Sequence, residues 1–324
     1  MTIEKSVLVP LSADQTFALL TEPERLRRWM GISSRIDLRA GGEFRWTVIP
    51  GANAGGTFRE IEPGRRVVFT WGWEGNDTVP PGASTVTITL EPADSGTTVT
   101  LVHEGLSEEQ EAGHLDGWSH YLDRLVVAAR DGTAGPDSWK APTAESLDQL
   151  TAAEASLAVC QHVLREMGPG DGKAQTPCAK YDVDQLVTHL VGSMVALGSA
   201  VGVQITPASA GSSEVRVADA AQVLLEGWRR RGLDGTVKLG PGEMPAELAS
   251  RILTLEFLVH AWDFAQATGQ PLPTDEILAA YALEMAHGLI APKMRDGDRF
   301  ADEVMVGPDD NAMTRLVAFT GRVA

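Results

Sequence analysis

DGTAGPDSWKAP, residues 131–142, is where this chain changes character. Glycine, proline and serine crowd it and no apolar period runs through it, which is the composition of a connecting segment. Before it, short β-branched or alternating runs recur between turn clusters. After it, apolar residues recur at helical spacing almost throughout. A length of 324 residues, at roughly 150 residues per domain, fits the same division. We therefore expect a domain over residues 1–131, a linker over 132–146 and a second domain over 147–324.

The first domain reads as α+β. Ile3 to Val9 is a β-branched run stopped by Pro10, because proline has no N–H to give to a sheet. Ser12 or Asp14 can cap a helix through Leu20, and Pro23 can start a second short one. Five further runs come next: Gly42–Ile49, Gly56–Ile61, Arg66–Trp73, Ser84–Glu91 and Thr97–His103. Turn clusters separate them, as in an antiparallel meander. A helix from about Ser107 to Arg130 closes the domain, with Trp118, Leu122 and Leu125 at helical spacing. A curved sheet gripping a long terminal helix encloses a place for a small apolar ligand. Trp46, Trp71, Trp73 and Trp118 are candidates to line it, or are simply core. His103, Glu104, His114 and His120 are candidate acid/base groups at its mouth, or solvated surface residues.

Beyond the linker the expected helices are 144–168, 182–202, 215–231, 245–268, 274–290 and 311–320. The informative segment is ILTLEFLVHAWDFA, residues 252–265, which is apolar apart from Thr254, Glu256, His260 and Asp263. Glu256 and His260 stand one helical turn apart on one face. A carboxylate in such a setting is costly to bury unless it is paired or holds a cation. YDVDQLVTHLVGSMVALGSAV, residues 181–201, carries an apolar stripe of Val183, Leu186, Leu190, Met194 and Leu197, with His189 at its edge. If the two helices pack, His189, Glu256 and His260 make a two-histidine, one-carboxylate set with an open position, the pattern of catalytic zinc. The alternatives are a hydrogen-bonded core histidine and a buried Glu256–His260 ion pair. Asp263 is a candidate to orient a metal-bound His260, or equally to cap or salt-bridge at the surface. Cys178 reads as structural, Arg229 to Arg231 as a solvated helix end, and Arg299 and Arg315 as candidates to hold an acidic substrate.

Two resemblances add to this reading. VLVPLSADQTFALLTEPERLRRWMG (7–31), LRAGGEFRW (38–46), GTFREIEPGRRVVFTWGW (56–73) and GTTVTLVHEGL (96–106) resemble the START-like (SRPBCC) superfamily. Within it they fit the branch named for activators of heat-shock-protein ATPase. This implies a helix-grip fold with a hydrophobic ligand cavity. TPCAKYDVDQLVTHLVG (176–192), EFLVHAWDFAQATGQ (256–270) and NAMTRLVAFTGR (311–322) resemble the DinB-like metal-binding superfamily. They are closest to the group related to the N-terminal domain of mycothiol-dependent maleylpyruvate isomerase. That implies an all-α four-helix bundle holding a divalent metal, usually zinc, through His189, Glu256 and His260. It also implies mycothiol or another low-molecular-weight thiol as cosubstrate. No counterpart of that isomerase's separate C-terminal domain is recognisable.

Charge and composition exclude other classes. With 27 Lys+Arg against 44 Asp+Glu the net charge is -17, so neither phosphate backbones nor anionic membranes suit this surface. Two cysteines, Cys160 and Cys178, make no disulfide framework, which points to a reducing, cytoplasmic setting. There is no phosphate-binding glycine loop after a strand, no C-x-x-C pair and no G-x-S-x-G elbow. Two readings stand. One is a zinc-dependent, thiol-using transferase or isomerase acting on a small organic electrophile. The other is a non-catalytic small-molecule binding or regulatory protein with a structural metal.

Overall fold

The computed structural model describes residues 2–295 and 300–323. The chain divides into two compact units, Met1–Trp139 and Lys140–Ala324.

In the first unit β1 (Thr2–Val9) is followed by α1 (Ala13–Thr21) and α2 (Pro23–Leu26). Then come β2 (Ser33–Ile36), β3 (Glu43–Ile49), β4 (Ala52–Glu62), β5 (Arg66–Trp71), β6 (Ser84–Ala93), β7 (Gly96–Glu104) and α3 (Glu108–Asp131). The seven strands form one sheet in the order β1-β7-β6-β5-β4-β3-β2, antiparallel throughout. Alternation sends Val86, Ile88 and Leu90 of β6 and Val99, Leu101 and His103 of β7 inward, because successive side chains of a strand face opposite ways. Register shifts at Thr47/Ile49 and at Phe58/Glu60 bend the sheet, as bulges do. At Gly56 the strands approach so closely that a Cβ would sit 1.8 Å from the Thr70 carbonyl oxygen. Trp118, Tyr121, Leu122, Leu125 and Ala128 of α3 pack into the core. This sheet and helix form a helix-grip fold.

The first unit extends past the expected boundary at residue 131. Trp139 stacks on His120 with ring centroids 4.6 Å apart. The Arg124 guanidinium donates to the carbonyls of Ala134, Gly135 and Pro136. One ring and three carbonyls hold the first half of the expected linker on α3, and no periodicity announces such contacts.

The second unit comprises α4 (Gln149–Arg165), α5 (Val183–Ala200), α6 (Ser213–Arg231), α7 (Ala246–Thr268), α8 (Glu276–Leu289) and α9 (Ala312–Phe319). α4 packs on α6 and α7, and α5 also packs on α6 and α7, so four helices close a ring. α8 lies on α7, and α9 on α8. The unit is not all-α. A hairpin of β8 (Thr236–Leu239) and β9 (Gly242–Pro245) is inserted between α6 and α7. Its short TVKL run, with Val237 buried, lacks the length for a separate signal beside the Gly-Pro-Gly turn. Arg229 is not solvated either. It makes a two-pronged bond, 2.7 and 2.6 Å, to the fully buried Glu154 of α4. Arg231 instead donates to the carbonyls of Gly232, Asp234 and Thr236 ahead of the hairpin.

Candidate metal centre

α7 supplies two of the three converging groups. It runs without Gly or Pro from Ala246 to Thr268 and ends at Gly269 in the left-handed region, the usual glycine terminus. From Leu253 to Ala265 every residue is buried except Glu256. α5 supplies the third group. Asp182 accepts from the Gln185 N–H, and the Gln185 side chain answers at the Asp182 N–H, a reciprocal cap that fixes where the helix starts. The preceding loop is tied down through the Tyr181 carbonyl, which accepts from Thr176 Oγ1 at 2.7 Å and from Gln175 Nε2 at 3.0 Å. The Tyr181 ring consequently stacks on His189, centroids 5.0 Å apart and 21° from parallel.

One ligand atom from each of His189, Glu256 and His260 lies within 4.8 Å of the others. Glu256 Oε2 is 3.9 Å from His189 Nε2 and 3.8 Å from His260 Nε2. Both distances exceed hydrogen-bond reach. Glu256 Oε2 is buried and has no hydrogen-bond partner. A lone carboxylate oxygen out of water is costly, and the two rings beside it do not relieve it. The expected convergence of the three residues is therefore present, without the hydrogen bonds of an ordinary ion pair.

Behind His260 the geometry is tighter. His260 Nδ1 lies 2.9 Å from Asp263 Oδ2, and Asp263 is wholly buried. Arg322 holds that carboxylate with Nε and Nη2, each at 2.7 Å. Burial works against the Asp263 carboxylate, but the bonds from His260 and Arg322 outweigh it and keep its pKa below the ordinary value. His189 is lowered chiefly by burial, against the pull of Glu256 and with the push of His260 and Arg322. Its ring is neutral at neutral pH, the form that offers a lone pair. Cys178 is near enough to feel Arg322, Asp263 and Glu256, and burial dominates in raising its thiol. Lys180, Tyr181, Asp184, Gln185, Thr188 and His189 line an open cleft of about 450 Å³ beside the centre. Arg322 was not among the sequence candidates. Arg315 is exposed on α9, and Arg299 lies outside the described residues.

The first unit differs from expectation in detail. The space among Trp46, Trp118 and their neighbours amounts to about 10 Å³, room for about one water. Trp46 and Trp71 sit in a packed aromatic cluster with Phe44 and Phe69. Trp46, Trp71 and Trp118 are thus packed as core, the alternative that the sequence left open. Trp73, partly buried, donates to His114 Nε2 at 3.1 Å, while His114 Nδ1 reaches the Gln110 carbonyl at 2.8 Å. His103 is fully buried. Its Nδ1 accepts from Trp118 Nε1 at 3.0 Å, and its Nε2 lies 2.8 Å from Ser84 Oγ. Because Ser84 already donates to the Trp71 carbonyl, the proton between them belongs to His103 Nε2. Burial, with the His114 charge second, lowers the His103 pKa to about 3. It is a structural histidine. Glu104 is exposed at the end of β7, and His120 is engaged by Asp137 at 3.0 Å.

Residues 10–130 match the family described as Activator of Hsp90 ATPase homolog 1-like protein. The first unit, a helix-grip domain, is thus similar to that family over this stretch. Over 150 residues, 45% of this chain and 82% of the relative, the sequence is 33% identical to an uncharacterized protein of Mycobacterium tuberculosis. That protein is Rv0738 in strain H37Rv and MT0763 in strain CDC 1551. The chain belongs to the family of these mycobacterial proteins. Among solved structures it is similar to an AHSA1-like protein from Rhizobium etli, with 36% identity, coverage of 44% and 90% of the two chains, and a TM-score of 0.36. It is similar also to the Aha1 dimer from Colwellia psychrerythraea, with 16% identity, coverage of 41% and 98%, and a TM-score of 0.37. Among the described residues no helix is long and apolar enough to cross a membrane.

Proposed function

We propose that the second unit is a DinB-like bundle in which His189, Glu256 and His260 hold one divalent cation, most suitably zinc, for a thiol-using transferase or isomerase. The observation that carries this reading is the unpartnered, buried Glu256 Oε2, 3.9 and 3.8 Å from two histidine nitrogens. Two imidazoles and a carboxylate suit zinc in ligand type and softness, and three protein donors leave a position open. A cation held there supplies Lewis acidity and a lowered pKa for a thiol or water in that position. The chain's own residues do the rest. Asp263 orients the His260 ring, Tyr181 holds the His189 ring by stacking, and the apolar residues of α7 bury His260, while His189 opens onto the cleft. The cleft beside His189, at about 450 Å³, is within the size range of small-molecule sites, enough for a small thiol and an organic electrophile together. Mycothiol is the thiol that the sequence resemblance suggests.

The test begins with metal per chain, measured by mass spectrometry on the purified protein and on His260→Ala. About one zinc per chain, lost in the variant, is expected. Calorimetric titration of the zinc-loaded protein with thiols then separates the transferase reading from its competitor. A zinc-loaded protein that binds no thiol removes the transferase.

The second reading, a regulatory or ligand-binding protein with a structural metal, draws on the match of residues 10–130. It predicts ligand capture by the first unit without turnover, seen as a melting temperature that rises with ligand concentration.

A further inference from the structure

α9 closes with a hydrogen-bond pattern that aims one side chain at the centre. The Gly321 N–H bonds the Ala318 carbonyl and the Arg322 N–H bonds the Val317 carbonyl, each at 3.0 Å. With Gly321 at φ +87° this is a Schellman terminus, in which the residue after the glycine is turned back across the helix end. The glycine is needed twice. Its φ is one that side chains rarely adopt, and a Cβ there would stand 2.7 Å from that of Ala301. The residue turned back is Arg322, and its guanidinium meets Asp263 with two bonds of 2.7 Å. A third bond, 3.2 Å from Nη1 to Thr320 Oγ1, fixes the guanidinium from its other side.

We infer that Arg322 is a positioning residue for the cation site, acting through Asp263 on His260; the inference rests on the metal reading above. A carboxylate held by one bond can turn about its Cβ–Cγ axis, whereas one held by both prongs of a planar guanidinium cannot. Asp263 Oδ2 is thereby kept in line with His260 Nδ1 at 2.9 Å. That bond keeps the ring proton on Nδ1. The His260 Nε2 lone pair then faces Glu256 Oε2, 3.8 Å away, alongside His189 Nε2. The chain order of the device is long-range: a helix terminus some sixty residues downstream sets the ring orientation of a donor on α7. A merely structural salt bridge would need no particular orientation of Asp263 toward the His260 ring.

The experiment uses the full chain and its Arg322→Lys and Arg322→Gln variants, each first checked for native circular dichroism. Lysine keeps the charge but loses the fork, so it separates orientation from charge should the glutamine variant fail to fold. Three readouts are taken: zinc affinity by chelator competition, the absorption spectrum of the cobalt-loaded protein, and the His260 tautomer in metal-free protein by 15N ring correlations. We expect a metal-free wild type with the proton on Nδ1 and a mixture of tautomers in Arg322→Gln. Zinc affinity should fall about 10- to 100-fold in Arg322→Gln, the usual cost of losing an outer partner, with a changed cobalt spectrum. Arg322→Lys should be intermediate. Wild-type affinity, spectrum and tautomer in both variants would overturn the role of Arg322 while leaving the metal site standing. A wild type that binds no zinc, but whose tautomer shifts in the variants, would overturn the metal reading and support the positioning role. No zinc and no tautomer shift would overturn both.

Discussion

The helix-grip unit and the helical bundle both bury histidines, and they treat the ring nitrogens in opposite ways. In the first unit each nitrogen of His103 and of His114 has a partner: an indole N–H, a serine hydroxyl or a backbone carbonyl. In the second, two Nε2 atoms and a carboxylate oxygen face one another at 3.8 and 3.9 Å, and the oxygen has no partner. Satisfied polar groups in a core serve stability and specificity. A buried group left without a partner among satisfied neighbours asks for a functional account. Residue type alone does not separate the two cases; the partner count does.

The largest expected effect tests the unsatisfied side. At zinc about a thousandfold above its dissociation constant, the wild type should gain about 4 kcal/mol against unfolding, seen as a large rise in melting temperature that a chelator reverses. Glu256→Gln should abolish most of that gain. Without metal, however, Glu256→Gln should be as stable as the wild type or more so, because it removes an unpartnered carboxylate. A metal-free Glu256→Gln protein that is clearly destabilised would show that Glu256 serves the fold and would erase the contrast between the units.

The next effect sharpens the satisfied side through pH. His103 has a folded pKa of about 3 against an ordinary 6.5. A depressed pKa contributes stability that is full above about pH 6.5 and is lost as pH falls, because the unfolded chain takes up a proton that the folded one refuses. Between pH 7 and pH 4.5 the loss should be about 2–3 kcal/mol. Six of the eight tryptophans lie in the first unit, so urea unfolding followed by tryptophan fluorescence reads it in the full chain. His103→Gln, which can still accept from Trp118 and donate to Ser84, should flatten the slope. A slope that persists in this variant would move the proton uptake to another group.

Legibility in the sequence tracks the reach of each interaction. Strands such as Ser84–Glu91 announce themselves by alternation, and α7 by an unbroken apolar helix with Glu256 and His260 one turn apart, because those signals are local. The approach of His189 needed a pairing of α5 with α7 that spacing alone does not specify, and there the resemblance pointed the way. The bond from Arg322 to Asp263 had no local trace, since it joins a helix terminus to another helix's interior. Gly321 was the one available hint, as a helix-ending glycine that orients the residue after it. Arg229 was misread for a related reason. A basic run at a helix end is usually solvated, and the buried partner, Glu154, sits on α4. For the tryptophans the sequence left pocket lining and core packing both open, because whether rings line a cavity or fill it depends on how tightly the sheet curls.

The smallest effects come from a matched pair within that filled core. Trp118 and Trp46 are both nearly fully buried, but only the Trp118 indole N–H has a partner, His103 Nδ1. Trp46 Nε1 has none. Replacing each by phenylalanine removes similar apolar area, so the difference between the two variants isolates the polar contribution. Trp118→Phe strands the buried His103 nitrogen and should cost about 1–3 kcal/mol more than Trp46→Phe. It should also raise the His103 pKa, since a ring no longer obliged to accept at Nδ1 can be protonated at less cost. Acid sensitivity would then set in over a narrower range, ending at a higher pH. Trp46→Phe relieves an unpartnered donor and should leave the acid profile unchanged. Urea midpoints at pH 7.5 and pH 5 for the two variants decide it. Equal losses with identical pH dependence would mean that the tryptophan–histidine bond contributes nothing beyond packing, and the partnering of both His103 ring nitrogens would then no longer explain why that histidine is structural.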